Sequence, residues 1–201
     1  MNKHPLLYLA SASPRRRDLL QQLGYTTHLC PANIDETPHA NETAQDYVLR
    51  MAIEKNQAAQ QSFSQHLAAP LISADTTVAL NHQILGKPNN AEHAHQILHQ
   101  LSGNTHQVLT AVCVSYQQQT LSLIQSSDVH FKTLTNEEID AYINTGEPLD
   151  KAGAYGIQGI GGAFVNHLSG SFTGVMGLPI FETITLLQQL NFPTPPFLSN
   201  A

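Results

Sequence analysis

Charge of either sign is scarce in this sequence, and basic residues are the scarcest. Only nine of the 201 residues are Lys or Arg, against 15 Asp and Glu, and these four types make up 12% of the chain. The formal net charge is -6, which argues against a surface that binds polyanions in general. We therefore expect no nucleic-acid partner.

Cysteines and long apolar runs are also few. Cys30 and Cys113 each lie in an apolar segment, which is typical of buried thiols in a reducing compartment. No stretch of about 18 apolar residues exists, so no membrane-spanning helix is predicted. The first residues show no basic region followed by a long apolar stretch and a cleavage site. We expect a cytoplasmic protein with no membrane partner.

Hydrophobic periodicity and turn residues predict an α/β protein with a mixed sheet. Helices are expected at 14–23, 43–61, 91–101, 135–146 and from 179, and strands at 5–10, 26–30, 70–74, 77–80, 107–116 and 120–131. Asn90 is a predicted N-cap, and the segments that begin at Thr43 and Thr135 resemble capping boxes. With 41% hydrophobic residues, we expect one buried core at 1–191, followed by a Pro-rich tail at 192–201.

One third of the basic residues stand together at the start of the first predicted helix. Ser13 is a suitable N-cap, Pro14 suits the first helical position, and Arg15, Arg16 and Arg17 follow. Because a helix N-terminus carries a partial positive charge, cations there are costly unless an anion shares them. This arrangement after a strand is typical of a phosphate site; the alternative is a solvated turn. Removing Arg16 is expected to make the ligand-free protein slightly more stable.

An aspartate interrupts an apolar stretch in the middle of the chain. Asp75 separates the apolar segments 71–74 and 78–80, and we predict that it lies at a strand end. A carboxylate there is costly unless it is hydrogen-bonded or bound to a metal; the alternative is an Asx-type turn. Lys55, late on a predicted helix, and Lys87, in a Gly-Lys-Pro turn, are not diagnostic alone because a lone lysine is usually solvated.

Two further features bear on metal binding. Asp35 and Glu36 form an adjacent pair of carboxylates, which suits Mg²⁺ or, alternatively, a solvated turn. His95 and His99 have the i, i+4 spacing of zinc ligands, but no third ligand accompanies them as a motif. A polar helix face is therefore the favoured interpretation of the histidines.

A glycine-rich segment, 156–162, does not match the common nucleotide-binding motifs. The sequence contains no P-loop, and this segment does not open a helix after a strand as a dinucleotide fingerprint would. It predicts a close approach of the backbone to a ligand or to another strand.

Six short motifs occur in a characteristic order along most of the chain. They are LASASPRR at 9–16, EK at 54–55, SADT at 73–76, LGKP at 85–88, LSG at 101–103 and DKAGAYGIQG at 150–159. Together they resemble the Maf family of nucleoside triphosphate pyrophosphatases. The resemblance implies an inosine-triphosphatase-like α/β fold, with a mixed sheet and two lobes around a central nucleotide cleft, usually in a homodimer. It also implies hydrolysis of a nucleoside triphosphate to the monophosphate and pyrophosphate with a divalent metal, Mg²⁺ or Mn²⁺.

The resemblance also implies roles for single residues. Asp75 matches the proton acceptor of the family, and it can also serve as a metal ligand together with Glu36, which falls near the acidic metal-site position. The expected phosphate and substrate contacts are Ser11, Ser13, Arg15, Arg16, Lys55 and Lys87.

Three positions resemble the branch of the family that acts on dTTP and UTP. They are Arg15, Thr76 and Gln158, where the branch acting on 7-methyl-GTP is expected to carry Trp, Gln and Glu. We therefore predict hydrolysis of pyrimidine nucleotides, modified ones included, in sanitation of the nucleotide pool. The alternative is a non-catalytic nucleotide-binding regulator of septum formation and cell division, against which an intact Asp75 argues. A purine-directed enzyme of the same fold is a third candidate, and it usually lacks the 13–16 motif.

Overall fold

The computed structural model describes residues 5–62 and 68–194, in which strands and helices alternate. The strands are β1 (Leu6–Leu9), β2 (Thr26–Leu29), β3 (Leu71–Leu80), β4 (Gln83–Leu85), β5 (Thr105–Tyr116), β6 (Gln119–Phe131) and β7 (Val165–Ser169). The helices are α1 (Pro14–Gln22), α2 (Ala44–Ser62), α3 (Ala91–Leu101), α4 (Asn136–Ile143), α5 (Phe172–Met176) and α6 (Ile180–Gln189). Short 3₁₀ turns occupy Glu147–Asp150, Ala152–Ala154 and Ile160–Phe164.

Capping side chains fix the beginnings of several helices. The Asn90 side chain accepts a hydrogen bond from the backbone of His93 and caps α3. At α4, the Thr135 capping box is present in both directions, as the sequence predicts. Ser13 occupies the N-cap position of α1, but its hydroxyl makes no capping hydrogen bond. The predicted N-cap position of Ser13 is therefore confirmed, whereas a capping bond from its side chain is absent.

The sheet has the order β2-β1-β3-β5-β6-β7, with β4 paired to β3 outside this path. β1 is parallel to both β2 and β3, whereas the pairings of β3 with β4 and β5, of β5 with β6 and of β6 with β7 are antiparallel. The predicted α/β class with a mixed sheet is confirmed. β2, which follows β1 in the chain, lies on one side of β1, and β3, which follows β2, lies on the other side of β1. The strand order therefore reverses between β1 and β3. Open α/β sheets bind ligands at such a reversal.

Helices cover both faces of the sheet around that point. Leu19 and Leu20 of α1 pack in the same cluster as Ile72 of β3, whereas Ala59 of α2 packs against Leu71. Successive side chains of a strand point to opposite faces, so α1 and α2 lie on opposite sides of β3.

One strand differs from the prediction at the position that matters most. β3 runs without a break from Leu71 to Leu80, so Asp75 lies in mid-strand and neither at a strand end nor in an Asx-type turn. Asp75 stands opposite Ala111 of β5 in the antiparallel register. The strand continues because an ion pair, described below, compensates the carboxylate. Three short elements, β4, β7 and α5, were not predicted.

The other edge of β3 is open between two pairings. β1 pairs with Leu71 and Ile72, and β4 pairs with the stretch from Val78 to Leu80. Among the described residues, no strand covers this edge between Ile72 and Val78. The backbone of Asp75 therefore lies beside a gap in the sheet.

No helix in the described ranges has the length and apolar character needed to cross a membrane. Of the predicted tail at 192–201, residues 195–201 lie outside the described residues.

Candidate active site

A cavity of about 1040 Å³ lies at the gap in the sheet. This is at the upper end of the volumes of small-molecule sites. The cavity is lined by the ten residues that were assigned catalytic, binding, metal or specificity roles together with the family resemblance. They are Ser11, Ser13, Arg15, Arg16, Glu36, Lys55, Asp75, Thr76, Lys87 and Gln158.

Asp75 and Thr76 send their side chains to opposite faces of β3. Asp75 points toward α2, on which Lys55 follows Met51 and Ala52 by one turn and shares their inward face. Thr76 points toward the first turn of α1. The cavity therefore reaches both faces of the sheet around the open edge.

Lys55 joins two carboxylates at one side of the cavity. Its Nζ lies 2.6 Å from Asp75 Oδ1 and 2.7 Å from Glu36 Oε1. The side chains of Lys55 and Asp75 are each 13% exposed, so the pair is mostly withdrawn from water and each charge depends on the other. Burial raises the pKa of Glu36, but the hydrogen bond and charge of Lys55 outweigh it and the net pKa is lowered. Glu36 is therefore ionised at neutral pH.

These two carboxylates fit a metal ion that is bound together with a substrate. No group of three or more His, Cys, Asp or Glu side chains in residues 5–62 and 68–194 is arranged to hold a metal by itself. Mg²⁺ is commonly held by one or two carboxylates, with water and substrate phosphates completing the shell. Lys55 contacts one oxygen of Asp75 and one of Glu36, which leaves the second oxygen of Glu36 for such an ion and that of Asp75 for the ion or for a water molecule.

Arg16 is held by three acceptors from three different segments. Its Nε donates to the Gly177 carbonyl at 2.7 Å, its Nη1 to Ser11 Oγ at 3.0 Å and its Nη2 to Thr76 Oγ1 at 3.3 Å. Burial lowers the pKa of Arg16, and the charge of Asp75 opposes this effect. The three acceptors compensate the cation, so the contacts favour a loss of stability without Arg16, whereas the polarity of the helix alone favours a gain.

The neighbouring cations differ from Arg16 in their partners. Arg15 and Lys87 line the cavity, and within the described part of the chain neither makes a side-chain hydrogen bond or ion pair. Arg17 lies outside the cavity lining and pairs with Asp18 at 3.3 Å. Arg15 and Lys87 are therefore available to an anion, whereas Arg17 matches the solvated alternative.

The buried Thr110, which sequence reasoning did not identify, orients the Thr76 hydroxyl through a hydrogen bond. Thr110 stands opposite Thr76 in the register of β3 and β5, and the two Oγ1 atoms are 3.0 Å apart. Thr110 also donates to the Gly174 carbonyl at 2.7 Å. Only the register of two strands that are distant in sequence identifies this contact.

The glycine-rich segment forms part of the cavity wall. Gly156, Ile157 and Gln158 line it, and Gln158 is exposed. The predicted close approach is present, but the segment packs against side chains: a Cβ at Gly161 would lie 2.6 Å from Tyr142 Oη.

The remaining candidates lie elsewhere. Asp35 Oδ1 accepts a hydrogen bond from the Thr37 backbone at 2.9 Å, so it forms a turn, and of the acidic pair only Glu36 lines the cavity. The rings of His95 and His99 stack with centroids 6.4 Å apart, and His95 Nε2 lies 3.7 Å from Asp140. They lie outside the cavity lining, which agrees with a polar helix face.

Comparison with known proteins agrees with these motifs. The model of the family described as "Maf-like protein" matches residues 6–190. The nucleoside triphosphate pyrophosphatase of Haemophilus ducreyi is 58% identical over 96% of this chain and 99% of its own length. The dTTP/UTP pyrophosphatase of Pasteurella multocida is 57% identical over 90% of this chain and 94% of its own, and that of Escherichia coli O6:K15:H31 is 52% identical over 92% and 93%.

A match to a solved structure is weaker. The Staphylococcus aureus Ham1 protein aligns over 92% of this chain and 97% of its own, with a TM-score of 0.48 and 14% identity. Similarity at this level carries no conclusion about fold or function. The family match and the curated relatives each span nearly the whole sequence, and the chain belongs to the Maf family.

Proposed function

We propose that this protein hydrolyses nucleoside triphosphates to the monophosphate and pyrophosphate, with dTTP and UTP as preferred substrates. The observation that carries the proposal is the grouping of four cations, Arg15, Arg16, Lys55 and Lys87, around the carboxylates of Asp75 and Glu36 in one cavity. The names of the relatives from Pasteurella multocida and Escherichia coli support the substrate class.

The cations account for binding of the triphosphate. A triphosphate and its in-line transition state carry several negative charges, and catalysis consists mainly of positioning and electrostatic stabilisation. Among the described residues, Arg15 and Lys87 interact with the charges of Asp150 and Glu36 but make no side-chain hydrogen bond or ion pair. They are therefore suited to bind phosphate oxygens directly. Arg16 presents the remaining N–H groups of a guanidinium that Ser11, Thr76 and Gly177 already orient.

Asp75 and Glu36 are the residues that would hold a divalent cation, Mg²⁺ or Mn²⁺. When bound, such an ion neutralises phosphate charge and polarises the phosphoryl oxygen. Of the two carboxylates, Asp75 is the less exposed, at 13% against 51% for Glu36.

The chain's own residues supply the proton transfer. Asp75 Oδ2 accepts a proton from the attacking water, whose oxygen adds to phosphorus while the bond between the α- and β-phosphates breaks. The leaving pyrophosphate retains the electrons of that bond. Lys55 fixes the Asp75 carboxylate through Oδ1, so that the second oxygen keeps a defined direction.

Gln158 is the residue proposed to read the base. A pyrimidine presents a carbonyl beside an N3–H, and a neutral amide offers both a donor and an acceptor. The Thr76 hydroxyl contributes to base recognition only indirectly, because it is already hydrogen-bonded to Arg16 and Thr110.

Pyrophosphate release by the purified protein tests the proposal. The panel contains dTTP, UTP, ATP, GTP and 7-methyl-GTP, each with Mg²⁺, with Mn²⁺ and with a chelator. We expect release that depends on the cation and is fastest with dTTP and UTP. Tight binding without release from any nucleotide would instead support the regulator alternative, and a preference for 7-methyl-GTP would contradict the branch assignment.

Asp75→Asn addresses the catalytic role within that assay. We expect turnover to fall by about 10²-fold or more while nucleotide binding persists, because the acceptor of the proton is lost. Asp140→Asn is the matched control, since Asp140 lies on α4 outside the cavity lining. Near-normal turnover of Asp75→Asn would remove Asp75 from the mechanism.

The family resemblance also supports a homodimer in the cytoplasm. Sedimentation equilibrium tests the first: a single species of twice the 21.9 kDa chain mass is expected. Fractionation of cells that produce the protein tests the second.

A further inference from the structure

A partly buried hydrogen-bond network holds the glycine-rich segment of the cavity lining, and its centre is Glu147. This residue follows α4 and begins the 3₁₀ turn Glu147–Asp150. It lies outside the described residues that line the cavity, and its contacts with that lining are made by its carboxylate, through the glycine-rich segment, and by its backbone carbonyl, which accepts a hydrogen bond from Lys151 Nζ at 2.6 Å.

The Glu147 carboxylate uses both oxygens to hold that segment. Oε2 accepts from the Ile160 backbone at 2.9 Å, and Oε1 accepts from the Gly161 backbone at 3.1 Å. Oε1 also accepts from Tyr142 Oη at 2.8 Å, and the same Tyr142 oxygen accepts from the Gly156 backbone at 3.2 Å. The network thus binds the segment on both sides of Gln158.

The glycines of the segment are explained by this network. A Cβ at Gly159 would overlap the Glu147 carboxylate, and a Cβ at Gly161 would lie 2.6 Å from Tyr142 Oη. Side chains at these positions would displace the carboxylate from the backbone amides. The segment is therefore built around an ionised acceptor.

We propose that Glu147 is a positioning residue for base recognition, which fixes Gln158 at the cavity wall by anchoring the backbone at 156–161. The proposal rests on the proposed function, because Gln158 is taken there as the residue that reads the base. Glu147 touches no substrate. Its effect should appear in the choice among nucleotides rather than in the chemistry common to all of them.

The sharpest variant is Glu147→Gln, which keeps the size of the side chain and removes one acceptor. The amide NH₂ group must then face a backbone N–H or the Tyr142 hydroxyl, so at least one anchor is lost. We expect the ratio of kcat/KM for dTTP to that for GTP to fall at least tenfold, mainly through a higher KM for dTTP. Glu137→Gln, on the exposed first turn of α4, is the matched control and should leave the ratio unchanged.

Two additional variants separate positioning from general stability. Tyr142→Phe removes the hydroxyl but retains the ring that packs 5.0 Å from Phe164, centroid to centroid, and it should lower the same ratio to a smaller extent. In a Gln158→Ala background, Glu147→Gln should change the ratio less than twofold. A purely structural role would instead lower kcat/KM for dTTP and GTP equally in both backgrounds, and that result would overturn the proposal.

A binding measurement keeps the inference apart from the proposed function. Calorimetric dissociation constants for dTMP and GMP require no turnover, and Glu147→Gln should weaken dTMP binding at least tenfold more than GMP binding. Equal changes for the two monophosphates would overturn the positioning role. A wild type that releases no pyrophosphate but binds dTMP selectively would overturn the proposed function alone.

Discussion

Two parts of the cavity lining, here named the charged end (around Arg16, Lys55 and Asp75) and the loop end (around Gln158), are built from different kinds of structure. At one end, charged side chains project from the regular elements α1, α2 and β3, and Lys55 and Arg16 are each held by two or more partners. At the other end, the neutral Gln158 lies on a loop whose backbone is held from behind by Glu147. The first end suits any triphosphate, whereas the second can distinguish one base from another.

This difference indicates how the two tasks are separated. Charge recognition tolerates small displacements because electrostatic attraction declines gradually with distance. Reading a base by hydrogen bonds does not, because a misplaced group leaves buried donors and acceptors without partners. The charged end should therefore control rate for all nucleotides, and the loop end should control preference among them.

Lys55→Met should have the largest effect, because it removes the cation between Asp75 and Glu36. We expect kcat/KM to fall by about 10³-fold for every nucleotide, as a preorganised cation is lost and two carboxylates repel each other. Steady-state pyrophosphate release measures this. Lys132→Met, which removes a partner of Glu138 outside the cavity, should behave as the wild type. A Lys55→Met enzyme within threefold of wild type would exclude Lys55 from the charged end.

Arg16→Ala should lower kcat/KM about 30- to 900-fold, equally for dTTP and GTP. This corresponds to a loss of roughly 2–4 kcal/mol of transition-state stabilisation. The free energy of unfolding should also decrease by about 1–3 kcal/mol, because Ser11, Thr76 and the Gly177 carbonyl lose a charged donor. Urea unfolding and the same kinetic assay provide both values. Arg17→Ala is the adjacent control and should have little effect on either. Equal losses at the two positions would contradict the assigned geometry.

Gln158→Glu should change preference more than rate. A glutamate can only accept hydrogen bonds, so it no longer satisfies the pyrimidine carbonyl and suits a cationic 7-methylguanine better. We expect the ratio of kcat/KM for dTTP to that for 7-methyl-GTP to fall about tenfold, with pyrophosphate release retained. Thr77→Ser, a conservative change in the charged end of the cavity lining, should leave this ratio as it is.

The smallest effect on activity is expected at His106, where a substitution should change the dependence of stability on pH instead. His106 is buried, its Nε2 lies 2.9 Å from Tyr155 Oη, and burial lowers its pKa to about 4. Because an unfolded histidine has a pKa of about 6.5, the stability that neutral His106 contributes is complete above that pH. It should decrease by about 3 kcal/mol as the pH falls to 4.

His106→Gln keeps a hydrogen-bonding group but does not titrate, so it should flatten the decline in unfolding free energy between pH 6.5 and 4. Activity at pH 8 should remain near that of the wild type. The exposed His167→Gln provides the comparison and should retain the wild-type pH dependence. Identical pH profiles for all three proteins would show that His106 does not contribute to the pH dependence of the unfolding free energy.

Local signals predicted the α1 part of the charged end, whereas Lys55, Lys87 and Glu36 were assigned through the family resemblance. Pro14 and the three arginines mark the start of α1, and Asn90 and Thr135 cap α3 and α4 as their sequences indicate. The position of Asp75 within a strand could not be predicted, because its compensating partner Lys55 is 20 residues away. A charged residue ends a strand in pattern-based reasoning, whereas tertiary ion pairing overrides that preference here.

The loop end was the harder one to predict, for the same physical reason. Glu147 is recognisable only through its bonds to Ile160 and Gly161, 13 and 14 residues further along the chain. Its role depends on how α4 packs behind the segment. The glycine pattern at 156–162 indicated close approach but gave no information about which side chain would approach.

Chemical-shift mapping with a non-hydrolysable dTTP analogue tests the central claim most directly, namely that one nucleotide spans both ends of this cavity. Isotope-labelled protein is titrated with α,β-imido-dTTP, with inorganic tripolyphosphate and with thymidine, in the presence of Mg²⁺. We predict that the analogue shifts backbone amide signals at both 11–16 and 156–161, tripolyphosphate those at 11–16 alone, and thymidine those at 156–161 alone. An analogue that shifts neither segment, or only one of them, would contradict the account.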